Sequence, residues 1–179
     1  TGIGVYVFQR ADVTMRNLRI TSFTYGIYVR SSARIAVSNN SFSSNTQYGV
    51  VYEFSNNSEA RDNAFSRNAY GIIVDTSRAV SLRGNSMADH FGTAVAFSDA
   101  NENTVSNNTI FSTGDMAVNL YRSHGNLVEH NEIVGALYAG IRLFSADDNT
   151  IRRNRISEGG YGMLMVNDDE EDSDDSDRN

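Results

Sequence analysis

Apolar and polar residues alternate along this chain in short bursts, and each burst opens on a small residue. Gly4, Gly26, Gly49, Gly71, Ala94, Ala117, Gly140 and Gly162 stand 22 or 23 places apart. Each is followed by an alternating apolar pair: Val5/Val7, Ile27/Val29, Val50/Tyr52, Ile72/Val74, Val95/Phe97, Val118/Leu120, Ile141/Leu143 and Met163/Met165. Period-two alternation puts each pair on one face of a strand. A second segment in each turn carries Met15, Val37, Ala60, Leu82, Val105, Val128 and Ile151. Five residues further on come Ile20, Phe42, Phe65, Met87, Ile110, Ile133 and Ile156. Every turn therefore supplies inward apolar residues at the same offsets.

An independent column holds the same register: Asn40, Asn63, Asn85, Asn108, Asn131 and Asn154, with Leu18 in its first place. Asn tolerates left-handed backbone angles at a turn, and stacked amides can bond one another in a ladder. Asn103, Asn126 and Asn149 predict a shorter second ladder, and Tyr25, Tyr48, Tyr70 and Tyr161, each before a turn-opening glycine or its equivalent, predict stacked rings. A fixed period of this length signals a solenoid. Helices are excluded by the period of two. A leucine-rich repeat would need a leucine ladder, and an antiparallel sandwich would not need a constant register. The prediction is an all-β, right-handed parallel β-helix of about seven turns of 22–23 residues over residues 1–166, with handedness taken from the preference for right-handed crossovers. Because the chain opens directly on a core strand, it is expected to be a fragment of a longer solenoid. Neighbouring β-helix sequence or other chains would then cover its ends, where open edges invite aggregation.

Segments such as Asn103–Ile110, Asn126–Ile133 and Asn149–Ile156 resemble the parallel β-helix repeat of the NosD-like and carbohydrate-binding/sugar-hydrolase group. The resemblance implies a secreted, periplasmic or cell-surface protein. It spans lyases, epimerases and hydrolases of polysaccharides, copper-site maturation accessories, surface proteins and phage spikes, and fold does not choose among them.

Charge changes the picture at one end only. Of 22 acidic residues, eight lie after Asn167, against the single base Arg178. The body is left with fourteen acids and fourteen arginines, since the chain has no lysine. Residues 167–179 are expected to form a disordered, self-repelling acidic tail; calcium binding there is the sharper alternative, without the spacing of a calcium loop. The neutral body argues against a nucleic-acid partner. No apolar run is long enough for a transmembrane helix, and the absence of cysteine removes disulfides and thiolate metal sites.

Candidate chemistry falls on the outward positions of the glycine-led strands. One outward column runs Tyr6, Tyr28, Val51, Ile73, Ala96, Asn119, Arg142, Leu164; the next runs Phe8, Arg30, Glu53, Asp75, Ser98, Tyr121, Phe144, Val166. Stacking places Glu53 and Asp75 ~5 Å apart, which suits a general acid/base pair, at a separation nearer retaining than inverting glycosidases. Arg30 belongs to that polar centre. The alternative is an Arg30–Glu53 surface ion pair with Asp75 solvated. Tyr28, Tyr121, Arg142 and Asn119 are the candidate substrate contacts, rings for stacking on sugars and arginine for uronate carboxylates.

Asp89, His90 and Asp115 form an alternative loop site, either an acid/base unit or metal ligands. His130 aligns with Asn107 and Arg153 in a polar column outside the core, while Met163 and Met165 read as core. No metal or cofactor motif is present; calcium and copper stay open without one. The function expected is polysaccharide binding, with processing as an extension. The alternatives are a non-enzymatic structural or adhesive module and a NosD-like accessory in copper-site maturation.

Overall fold

The computed structural model describes residues 2–167; the acidic tail expected from the sequence lies outside the described residues. Every strand pairs in parallel with its equivalent one turn away, in three stacked sheets of eight, seven and seven strands. The front sheet contains the glycine-led strands, from Ile3–Phe8 through Tyr25–Arg30 and Tyr48–Glu53 to Tyr161–Val166. The chain is thus a parallel β-helix of about seven turns. What the sequence presented as one second segment is two strands, such as Ala36–Ser38 and Ser41–Ser43. A corner at Asn39 separates them, so Val37 and Phe42 enter the core from different sheets.

The corners follow a single rule. Each turn has four, and each turns on a residue with positive φ: in the second turn Ser31 (50°), Arg34 (54°), Asn39 (54°) and Ser44 (54°). The left-handed residue was expected to be the ladder asparagine itself. It is instead the residue before it: Asn39, Asp62, Asn107, His130 and Arg153 all have φ of 53–56°. The following residue points inward, and its side-chain oxygen accepts the backbone N–H of the equivalent residue one turn earlier. Asn63 Oδ1 accepts from Asn40 N at 2.9 Å, and Asn85 Oδ1 accepts from Asn63 N at 3.1 Å. Each amide N–H₂ then donates to the next Oδ1 and to a backbone carbonyl, as Asn85 Nδ2 does to Asn108 Oδ1 at 3.0 Å and Ala60 O at 2.9 Å. Every lone pair and proton of such a buried amide is used.

The second ladder, Asn103–Asn126–Asn149, forms as expected. Two further files went unread in the sequence. Ser32, Ser55 and Ser77 hold the corner after the front strand, and Asn45 and Asn68 hold the fourth corner. This last file changes character at His90 and Thr113, both buried. His90 Nδ1 lies 3.2 Å from Asn68 O, while His90 Nε2 and Thr113 Oγ1 have no hydrogen-bond partner.

Between the files sits an apolar core, including Ile27, Val50, Phe42, Phe65, Leu82, Phe97 and Leu120, all essentially fully buried. Small residues open the front strands because a Cβ at Gly49 would lie 2.6 Å from both Gly71 O and Phe65 Cδ1. Met163 and Met165 correct the expectation of core packing. They occupy inward positions of the last described turn and are 46% and 59% exposed, with no described turn stacked on them. Tyr25, Tyr48 and Tyr70 lie ring beside ring at 5.1 and 5.4 Å, tilted by 41° and 31°, whereas Tyr161 meets Tyr138 edge-on.

Two predictions follow from this construction. Asn85→Ala takes the acceptor from the buried Asn63 N and Nδ2 and a donor from Ala60 O and Asn108 Oδ1, and is expected to cost about 3 kcal/mol in denaturant unfolding, against about 1 kcal/mol for half-buried Asn154→Ala. For His90, burial holds the imidazole pKa below its usual 6.5, outweighing the opposing effects of the Asn68 carbonyl and the Asp89 carboxylate. The unfolded chain therefore takes up a proton that the folded chain resists, and stability falls as pH drops through and below 6.5. His90→Asn, which extends the Asn45–Asn68 file, is expected to flatten the wild-type decline in unfolding midpoint between pH 7 and pH 5.

Candidate functional site

Because the front-sheet register is unbroken, its outward residues stack in files. Tyr6, Tyr28, Val51, Ile73, Ala96, Asn119, Arg142 and Leu164 are successive partners, as are Arg30, Glu53, Asp75, Ser98, Tyr121 and Phe144. Glu53 and Asp75 are direct neighbours on adjacent strands.

Around Glu53 the structure assembles a polar centre. Arg30 Nε lies 3.1 Å from Glu53 Oε2, and the Tyr28 hydroxyl donates to the same oxygen. The Arg30–Glu53 ion pair of the alternative reading is present, and Asp75 sits beside it on the next strand, accepting from Thr76 Oγ1 at 2.9 Å. Desolvation, then the hydrogen bond to the Glu53 carboxylate, pushes the Tyr28 phenol up to about 12. At neutral pH Tyr28 is therefore a proton-bearing donor and not a phenolate base. Tyr25, Tyr28, Tyr48, Val51, Glu53, Ile73 and Asp75 line a shallow depression of about 160 Å³. Its aromatic wall is continuous: Tyr25 stacks on Tyr28 at 5.2 Å, and Tyr28 contacts Tyr6 at 5.4 Å.

Further along the same face lies a second group. Tyr121 and Phe144 stack at 5.2 Å. The Arg122 guanidinium lies 4.9 Å from the Tyr121 ring centre, and that of Arg142 lies 4.6 Å from the Phe144 ring centre. Asn119, the register partner of Arg142, has a buried Oδ1 with no hydrogen-bond partner. Tyr121, Arg142 and Asn119 are thus brought together, but they are a separate group from Tyr28. Sequence reasoning missed Arg122, which occupies a left-handed corner just beyond the strand alternation. It also missed Tyr25 and Tyr48 as pocket walls, although their spacing was visible.

The alternative loop site does not assemble. His90 ends the strand Ser86–His90 and points into the core, Asp89 is an exposed corner residue, and Asp115 accepts from Thr93 Oγ1 at 3.2 Å. His124 Nδ1 accepts the Asp147 backbone N–H, and His130 is an exposed corner residue beside Glu129. Among the described residues no three His, Cys, Asp or Glu side chains converge as a metal site. The soft donors that copper prefers, His and Met, are dispersed between core, corners and the last turn, so these residues do not fit a copper centre. No helix of the described residues is long and apolar enough to cross a membrane.

Comparisons with known proteins agree with this architecture. The family described as "Periplasmic copper-binding protein (NosD)" matches residues 1–155 and again residues 88–173. No curated protein matches the chain by sequence. Among solved structures, a crystal structure of the periplasmic alginate epimerase AlgG aligns with a TM-score of 0.81 at 21% identity, over 90% of this chain and 39% of that one. PfbA, a surface adhesin of Streptococcus pneumoniae, aligns at 0.71 with 18% identity, over 86% of this chain and 45% of its own. The catalytic unit of a thermostable GH87 α-1,3-glucanase from Streptomyces thermodiastaticus aligns at 0.68 with 12% identity, over 93% and 45%. The chain therefore spans less than half the length of each, and at these identities the likeness is one of fold.

Proposed function

The chain belongs to the NosD family of β-helix proteins, and on that premise we propose that it binds polysaccharide along the outer face of its front sheet, in the periplasm or at the cell surface. One observation carries the reading: Tyr28 and Arg30 converge on Glu53 at the edge of a depression walled by stacked tyrosines. Flat rings offer their faces to the C–H faces of sugars, while the ion pair and phenol offer donors and acceptors to hydroxyl groups. The structural neighbours named for alginate and for α-1,3-glucan support a carbohydrate-facing role for this architecture, and the adhesin supports a place at the cell surface. Glu53 and Asp75 are the pair assigned to proton transfer where binding leads on to chemistry.

The test is a panel of soluble polysaccharides measured by calorimetry. Tyr28→Ala is expected to weaken the best ligand about tenfold or more, and Tyr28→Phe, which keeps the ring, by about threefold, since each factor of ten is about 1.4 kcal/mol. A panel on which the wild-type chain binds nothing overturns the proposal. Turnover of a bound polymer, where observed, is expected to vanish in Glu53→Gln with binding retained.

A second reading, a structural or adhesive module, draws on the loops that lead into the front strands. There Phe91 and Leu137 are exposed by 75% and 73%. Sedimentation showing self-association that Phe91→Ser abolishes would favour it; a monomer at all concentrations removes it.

A further inference from the structure

We propose that the narrow face beyond the end of the front strands holds a second sugar subsite, which takes an uncharged branch unit of a polysaccharide whose main chain lies along the front face. The inference rests on the polysaccharide-binding reading and adds to it a branched, neutral substrate class.

Three observations carry it. First, a cleft of about 290 Å³ opens where the chain leaves the front strands, with Asn56, Thr76, Arg78, Asp99, Asn101 and Glu102 in its lining. It adjoins the depression at Glu53. Asp75 lines that depression, Thr76 lines the cleft, and the Thr76 hydroxyl donates to the Asp75 carboxylate. The cleft lies round a corner, since Thr76 and Asp99 are left-handed residues with φ of 44° and 48°. A linear polymer that follows the outward files passes it by, and only a unit that leaves that line reaches it. From Asp75 to Arg78 is three residues, at most about 10 Å, a gap that a backbone unit and its branch cover together.

Second, the cleft offers two amide donors in fixed orientations. Asn56 Oδ1 accepts the Arg78 backbone N–H at 2.8 Å, and Asn101 Oδ1 accepts that of His124 at 2.7 Å. A backbone N–H pairs with the oxygen end of an amide, so each Nδ2 is turned away from that bond. Neither Nδ2 has a hydrogen-bond partner among the described residues. Asn56 and Asn101 stand on either side of Arg78, two turns apart, or ~10 Å at the strand spacing. With a hydrogen bond of ~3 Å at each end, roughly 4 Å is left between the two accepting oxygens, the scale of one sugar ring.

Third, the charges of the cleft oppose an acidic unit. The Arg78 guanidinium is held by Glu102 at 2.7 Å, and Asp99 has no ion pair among the described residues. A carboxylate or sulfate placed here would meet Asp99 without a free cation to offset the repulsion. Hydroxyl groups both donate and accept, which matches unpaired amide N–H groups beside carboxylate oxygens.

The experiment uses the full chain and compares linear and branched oligomers that share a backbone, each measured by calorimetry. The neutral pairs are xylohexaose with its arabinose-branched form, mannohexaose with its galactose-branched form, and cellohexaose with its xylose-branched form. A glucuronate-branched xylohexaose is the acidic arm. On the backbone that it binds, the wild type is expected to hold the neutral branched member about tenfold more tightly than the linear one, and to gain nothing from glucuronate. Asn56→Ala with Asn101→Ala is expected to bring the branched member down to the affinity of the linear one, with linear binding unchanged. Arg78→Ala with Glu102→Ala leaves both backbone caps in place. It is expected to keep the wild-type unfolding midpoint and still weaken the branched member by about threefold or more, so a folding defect in the first variant does not decide the outcome. No advantage for a branched member in any pair, or an advantage that both variants keep, overturns the side subsite but leaves front-face binding standing. A glucuronate branch held more tightly than the neutral ones overturns the uncharged class. Absence of binding to every oligomer and to the wider panel overturns both readings.

Discussion

The structure depends on how a corner of a β-helix satisfies its backbone N–H groups. Between corners, parallel ladders pair every N–H and C=O with the next turn. At a corner the chain passes through a left-handed residue, and the next N–H needs another acceptor, though it is buried. An unpaired buried N–H costs roughly 1–3 kcal/mol, and with four corners in each turn that cost would outweigh a marginal stability. The solution is a short inward side chain from the neighbouring turn whose oxygen accepts the N–H: Ser55 for Ser32, Ser58 for Ile35, Asn63 for Asn40, Asn68 for Asn45. Each acceptor belongs to a corner with the same requirement, and in the Asn40–Asn154 file the arrangement repeats without a break. The 22–23-residue period is the sequence record of that repetition.

This explains why the fold was legible and the site was not. Inward positions answer to a condition imposed identically in every turn, so Asn40 to Asn154 and the apolar pairs after each small residue keep their register without an alignment. The misreadings of the fold lie at the same corners. Asn39 and Asn40 are adjacent asparagines with different tasks, left-handed backbone and inward ladder, and a periodic pattern alone does not divide them. The file Asn45–Asn68–His90–Thr113–Ala136 loses its residue type after two members, which hid both the file and the burial of His90. Outward positions carry no such shared condition. Tyr28, Val51, Ile73 and Ala96 occupy one file with nothing in common but direction. The register could place Glu53 beside Asp75, but it could not show that Tyr28 donates to Glu53 or that Arg122 turns back over Tyr121.

The separation of tasks has a consequence for chemistry. Inward and corner residues are committed to the backbone, so the front face can vary without loss of the fold, and its electrostatics need not be uniform. The body as a whole carries equal numbers of acids and arginines, but along the front face they are unevenly placed: Glu53 and Asp75 share one arginine, Arg30, while Arg122 and Arg142 lie over Tyr121 and Phe144. Packing the guanidiniums against rings holds positive charge in place. In the same way, Arg30 and the Tyr28 phenol hold the Glu53 carboxylate in a single orientation.

A face of this kind selects by period more than by enclosure. The depression beside Glu53 is shallow, and the ring contacts between adjacent front strands fall at 5.1–5.4 Å, close to the strand spacing that produces them. A compact metabolite would touch one or two files and leave most of its surface in water, whereas buried small-molecule sites cover most of their ligand. On the proposed reading, an extended polymer with a repeat near the strand spacing meets one outward row of side chains at each step, each row with its own chemistry. Such a ligand gains small increments from many contacts. The same strand spacing that lets one asparagine reach the next inside the solenoid sets the ruler on its surface, and the ligand that best fits a ruler is a chain of regular units.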